Sequence, residues 1–123
     1  MMNRILFWVI AFLSLCNSLQ AQVSRQITDF NKGWSFTLGD NPAYSKPNFN
    51  DKNWRKLDLP HDWSIEGKFD SIHPAGNAGG ALPGGIGWYR KSFVTSNANK
   101  NWYIEFDGVY QNSEVWINGH YLG

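Results

Sequence analysis

Trp34-Ser35-Phe36-Thr37-Leu38 alternates large apolar side chains with hydroxyls. Successive side chains of an extended chain point to opposite faces, so Trp34, Phe36 and Leu38 are expected on one face and Ser35 and Thr37 on the other, the pattern of a half-buried strand. The same period recurs on either side. Leu57 and Leu59 repeat it until Pro60, which has no N–H to donate and ends the ladder. Tyr89, Lys91 and Phe93 alternate with Trp88, Arg90, Ser92 and Val94, and Trp102, Ile104 and Phe106 alternate with Tyr103, Glu105 and Asp107. Between these two runs, Thr95 to Asn101 is polar and short, which suits a turn. From Gln22 onward no helical apolar period is sustained over several turns, so the expectation is an all-β domain.

The composition agrees. Aromatic residues make up 16% of the 123-residue chain, with 7 Trp, and 12 Gly and 5 Pro fall mostly between the short aromatic runs. A chain that turns this often and has this much apolar surface to bury is neither disordered nor collagen-like. Its length allows one small domain and leaves no room for a catalytic barrel. Lys plus Arg (11) nearly cancels Asp plus Glu (10), so no phosphate-binding face and no nucleic-acid partner is implied.

The N-terminus follows a separate logic. Arg4 supplies positive charge, Ile5 to Leu15 is almost unbroken hydrocarbon, and Leu19-Gln20-Ala21 offers a small residue for cleavage before Gln22. Residues 1–21 therefore read as a secretory signal peptide, and the protein is expected to be exported to the periplasm or beyond. The apolar run is about half of the roughly 20 residues a membrane-spanning helix needs. Leu13-Ser14-Leu15-Cys16 resembles a lipoprotein signal, but Leu15 stands where a small residue is wanted. Because Cys16 is the only cysteine, the mature domain, residues 22–123, has no disulfide and must be held by its core.

Near the C-terminus, Glu114 to Ile117 reads as a strand and Asn118-Gly119 as a two-residue type I′ hairpin turn, with His120-Tyr121-Leu122 starting the return strand. A hairpin stopping there leaves an unpartnered edge, so an incomplete sandwich is expected. One loop stands out. Gly67 to Gly87 contains Gly76, Gly79, Gly80, Gly84 and Gly85 as well as Pro74 and Pro83, and must be a surface excursion, long enough to be functional. Neither a Lys-Ser/Thr pair nor a helix pattern follows its glycines, which excludes a phosphate-binding loop. His61, His73 and His120 lack ligand spacing, so no metal and no cofactor is expected.

Three segments together resemble the N-terminal sugar-binding domain of glycoside hydrolase family 2, the group containing β-galactosidases, β-glucuronidases and β-mannosidases. They are Leu59-Pro60-His61-Asp62-Trp63-Ser64-Ile65-Glu66-Gly67, the run from Leu82-Pro83-Gly84-Gly85 through Trp88-Tyr89-Arg90 to Phe93, and the run from Phe106-Asp107-Gly108 through Val115-Trp116-Ile117-Asn118-Gly119 to Gly123. With Gly33-Trp34-Ser35-Phe36 the likeness covers nearly all of the mature chain, and the Pro-His-Asp-Trp-Ser wording is closest to the β-galactosidase branch. The resemblance implies a jelly-roll, galactose-binding-like β-sandwich followed by an immunoglobulin-like domain and a (β/α)₈ barrel. It implies retaining hydrolysis of terminal β-galactosides by two barrel carboxylates, roughly 5 Å apart. No catalytic role falls on Glu66, Glu105 or Glu114.

The substrate implied is a carbohydrate, and four residues are candidates for touching it. Trp63 and Trp88 flank the glycine-rich loop and could stack on sugar C–H faces. Asn77 could donate to and accept from hydroxyls. Asp62 could bind a hydroxyl, although capping the turn that follows, or packing between domains, is the favoured role for its carboxylate. For Tyr89 and Trp116, on alternating strands, core packing is the expected role. The rival function is an autonomous carbohydrate-binding module or surface adhesin, which would bind sugar without a barrel.

Overall fold

The computed structural model describes residues 25–74, 76–95 and 99–123. The expected presequence, residues 1–21 with Cys16, lies outside them, as does the middle of the expected turn between Thr95 and Asn101. Among the described residues the regular structure is five strands and three short 3-10 turns, without an α-helix. No helix among them is long and apolar enough to cross a membrane.

Strands β1 (Trp34–Leu38), β2 (Arg55–Leu57) and β3 (Gly87–Arg90) form an antiparallel sheet in the order β2-β1-β3. β1 is central, with Ser35 opposite both Lys56 and Arg90, and Phe36 opposite both Arg55 and Tyr89. β4 (Trp116–Ile117) and β5 (His120–Tyr121) form a separate hairpin. Asn118 and Gly119 both have positive φ, 52° and 81°, as the type I′ turn read from Asn-Gly requires. The Trp88 indole stacks on that of Trp116 at 4.9 Å, joining the hairpin to β3.

The core is small and lies on both sides of β1. On one face Phe36, 7% exposed, packs against Tyr89 and His61 at ring separations of 4.9 and 5.0 Å. Farther along that face the Trp34 indole meets Phe30 edge-on, and Phe30 in turn meets Phe93. Lys91 Nζ sits 4.2 Å from the Phe30 ring centre and donates to the carbonyls of Phe30 and Lys32. The other face carries Trp88 and Arg90 under an aromatic group of Tyr44, Phe49 and Trp54. The Arg90 guanidinium donates to the Tyr44 carbonyl and lies over the Phe49 ring.

This second apolar layer corrects the simple alternation reading of β1. Ser35, expected on a hydroxyl face turned away from the core, is the most buried side chain among the described residues at 1% exposure, and its Oγ accepts from Lys56 Nζ. A hydroxyl is tolerated there because it is hydrogen-bonded. Leu38, expected in the core, is 57% exposed. Its neighbour across the sheet is Gly87, which offers no side chain, and β2 pairs only as far as Phe36.

The expected strand from Trp102 to Asp107 joins no ladder. Alternation gives a segment two faces but does not supply a partner, and among the described residues no strand pairs with it. Trp102, Tyr103 and Phe106 are accordingly exposed.

Candidate functional site: the rim between the turn after Pro60 and the glycine-rich loop

β2 ends at Leu57, three residues before Pro60 and earlier than the alternation of Leu57 and Leu59 suggested, and beyond Pro60 the chain folds into a 3-10 turn at Ser64–Glu66. Asp62 organises its start: Oδ1 accepts from the Ser64 backbone N–H at 2.9 Å and from Ser64 Oγ at 2.7 Å. This is the capping role open to Asp from the sequence, and it occupies one carboxylate oxygen at an exposed position.

The glycine-rich loop begins at the end of that turn and returns beside it. Gly67 lies against the Pro83 ring, so close that a Cβ there would overlap Pro83 Cγ and come within 2.7 Å of Cδ. Farther along, a Cβ on Gly87 would sit 2.8 Å from Trp63 Nε1 and 3.0 Å from the Phe36 ring. The glycines at 67 and 87 are needed for close approach. Inside the loop the Asp70 amide donates to the Ala81 carbonyl at 2.9 Å, and the Ala81 amide to the Gly76 carbonyl at 2.8 Å, which closes a neck. The loop is thus a built excursion with its own hydrogen bonds. Its surface is more apolar than its glycines suggested: Phe69 is 76% and Ile72 82% exposed, and Ile65 and Ile86 are exposed as well.

Beneath the turn runs a polar chain that joins two strands, β2 and β3. Arg55 of β2 grips Glu66 with two parallel bonds, 2.6 and 2.7 Å. Glu66 Oε1 lies 3.2 Å from His61 Nε2, and His61 Nδ1 lies 2.8 Å from the Tyr89 hydroxyl of β3. The His61 ring also rests edge-on against Phe36 of β1. A carboxylate can only accept, so the neutral imidazole carries its hydrogen on Nε2 and accepts the Tyr89 O–H at Nδ1. The Arg55 guanidinium, and then His61, hold the Glu66 carboxyl down at about 2, from an ordinary 4.5. The Tyr89 hydroxyl is pushed upward, first by burial and then by the Asp62 and Glu66 charges.

A folded-state value below the ordinary one stabilises the fold above the ordinary value, and that contribution is lost as pH falls through the window from 4.5 to about 2. Glu66→Gln should therefore flatten the acid limb of a stability curve in that window while lowering stability at pH 7. Urea midpoints measured between pH 7 and 2.5 check this, and parallel curves for the two proteins would refute it. Asp58, lowered by the Gly33 backbone N–H and by Lys32, titrates in the same direction in both proteins and does not obscure the difference.

The four sugar-contact candidates do not converge. Asp62 and Trp63 share the rim just described. Asn77 falls in the 3-10 turn Gly76–Gly79, and its side chain lies outside the described residues. Trp88 points to the opposite face of the sheet, because its neighbour Tyr89 occupies the rim side. Its Nε1 donates to Asp40 Oδ1 at 2.9 Å and its ring faces Trp116 and Tyr44. The residues that sequence reasoning missed are Arg55, Glu66 and Tyr89. Arg55 and Tyr89 stand on different strands from each other and away from the turn, so no spacing along the chain announces their meeting. Among the described residues no group of three or more His, Cys, Asp or Glu could hold a metal ion.

No protein-family model matches the chain. Individual relatives do. A β-galactosidase of Bacteroides ovatus, BoGH2A, is 54% identical over 113 residues, which is 90% of this chain and 13% of that protein. A β-glucuronidase of Formosa agariphila is 33% identical over 103 residues, 80% of this chain and 10% of that protein. Among solved structures, a β-glycosidase from Bacteroides vulgatus superimposes with a TM-score of 0.72 at 46% identity, over 80% of this chain and 13% of that one. By sequence and fold, then, the chain belongs with the family 2 glycoside hydrolases of the β-galactosidase and β-glucuronidase type, of whose length it matches only a small part.

Proposed function

We propose that the chain is the N-terminal, non-catalytic domain of an exported β-galactosidase-type glycosidase, residues 22–123 forming a jelly-roll sandwich behind a signal peptide at 1–21. The observation that carries this is the 54% identity to a β-galactosidase across 90% of the chain. In this reading, hydrolysis with retention is performed by two carboxylates on a barrel elsewhere in the full-length protein. The present domain docks on that barrel and narrows its mouth around a terminal β-galactosyl group. The exposed Ile65, Phe69, Ile72 and Ile86 support docking, since a second domain seated on this side would take their hydrocarbon out of water.

The rim supplies the sugar contact. Trp63, half-buried, offers an aromatic face, and Asp62 still has an exposed carboxylate oxygen beyond the one that caps Ser64. Asn77 of the glycine-rich loop, whose side chain lies outside the described residues, is a further proposed hydroxyl ligand. Trp88, packed on the far side of the sheet against Trp116, serves the core.

The test is hydrolysis of nitrophenyl β-galactoside and nitrophenyl β-glucuronide by the full-length protein, with the first-formed anomer read by proton NMR. The β-galactoside should be preferred and β-galactose released first. Hydrolysis of neither substrate would end this reading, and preference for the glucuronide would move it to the other branch.

A further inference from the structure

Besides the Asp62–Ser64 cap, a side-chain bond between His61 and Glu66 at 3.2 Å spans the turn from His61 to Gly67, and Trp63 sits between the two ends of that clip. His61 is 10% exposed at its side chain and uses both ring nitrogens, one toward Glu66 and one toward Tyr89. Apolar packing on Phe36 would be enough to bury a side chain here, but such packing is non-directional and would leave the ring free to turn about the contact. Two directed bonds from a planar ring remove that freedom, and Arg55 fixes the far end by gripping Glu66 with two bonds. The chain is buried at its His61 end and open to solvent at Arg55 and Glu66, and with every member partnered it favours one arrangement.

We infer that His61 is a positioning residue for sugar binding: through Tyr89 on one side and Glu66 and Arg55 on the other, it sets the orientation of the Asp62–Trp63 rim, touching no substrate itself. The inference rests on the proposed β-galactosidase reading. A further consequence concerns which kinetic constant responds. A rim that is well oriented contributes equally to binding the ground state and the transition state, so its loosening raises KM and leaves kcat nearly unchanged.

The experiment uses the full-length protein and nitrophenyl β-galactoside. His61→Leu keeps the apolar bulk and removes both bonds; His61→Gln retains one acceptor and one donor, as the neutral imidazole has. Tyr89→Phe removes a single hydroxyl, keeps the ring on Phe36, and remains informative if His61→Leu does not fold. The expected result is a KM raised about tenfold in His61→Leu and about threefold in Tyr89→Phe, with kcat within twofold and His61→Gln closer to wild type than His61→Leu. An unchanged KM in Tyr89→Phe and in whichever His61 variant folds, with only the melting temperature lowered, would overturn the positioning role. So would a His61→Gln as impaired as His61→Leu. A wild-type protein that hydrolyses no β-galactoside would instead overturn the functional reading, and the inference with it.

Discussion

Phe36→Ala should remove about 3–5 kcal/mol of stability, the cost of emptying a buried aromatic site. Phe36 is the only large apolar side chain that is fully inside among the described residues, and it touches the ring of Tyr89, the ring of His61 and the approach of Gly87 to Trp63. Its loss would loosen the sheet and the rim together. Leu38→Ala, on the same strand and the same face, should cost within about 0.5 kcal/mol because its side chain is already largely in water. Chemical denaturation of the two variants checks the contrast, and equal losses would show that the core does not lie where Phe36 places it.

Gly67→Ala is the second large effect. The added methyl meets the Pro83 ring, whose atoms are tied into the backbone and cannot swing away as a long side chain would. Overpacking of this kind costs about 1–3 kcal/mol, and here the strain falls on the neck that ties the glycine-rich loop to the turn. The variant should melt earlier, and the loop should become open to limited proteolysis before the sheet unfolds. Gly84→Ala is the control, since a Cβ there has open space around it and no positive φ opposes it. Its stability should stay near that of the wild type, and matching losses at the two positions would refute the close packing of Gly67 on Pro83.

How far the sequence disclosed this architecture can be judged from particular residues. β1 and β3 were legible because a strand with different neighbours on its two faces leaves a period of two, and the β4–β5 turn because Asn-Gly tolerates two consecutive positive φ values. The cap at Asp62 was legible because its partner is two residues away. What failed was whatever depended on a neighbour distant in sequence. Ser35 looked like an outward hydroxyl because nothing local foretells the aromatic layer that Tyr44, Phe49 and Trp54 bring over it. Trp102 to Asp107 alternates as well as β1 does yet finds no ladder, since pairing is a property of two segments. The chain from Arg55 through Glu66 and His61 to Tyr89 draws on two strands and a turn, and tertiary folding alone brings those residues together.

Residues that build a rim and expose Phe69 and Ile72 beside it make sense if the domain works against another surface. Deleting residues 22–123 from the full-length protein tests that claim most directly, with circular dichroism showing whether the remainder stays folded and nitrophenyl β-galactoside reporting turnover. The account predicts a folded remainder whose kcat/KM has fallen by about 10²-fold or more, the scale of loss when the contacts that position a substrate are removed. A folded remainder that turns over the substrate as fast as the intact protein would contradict it.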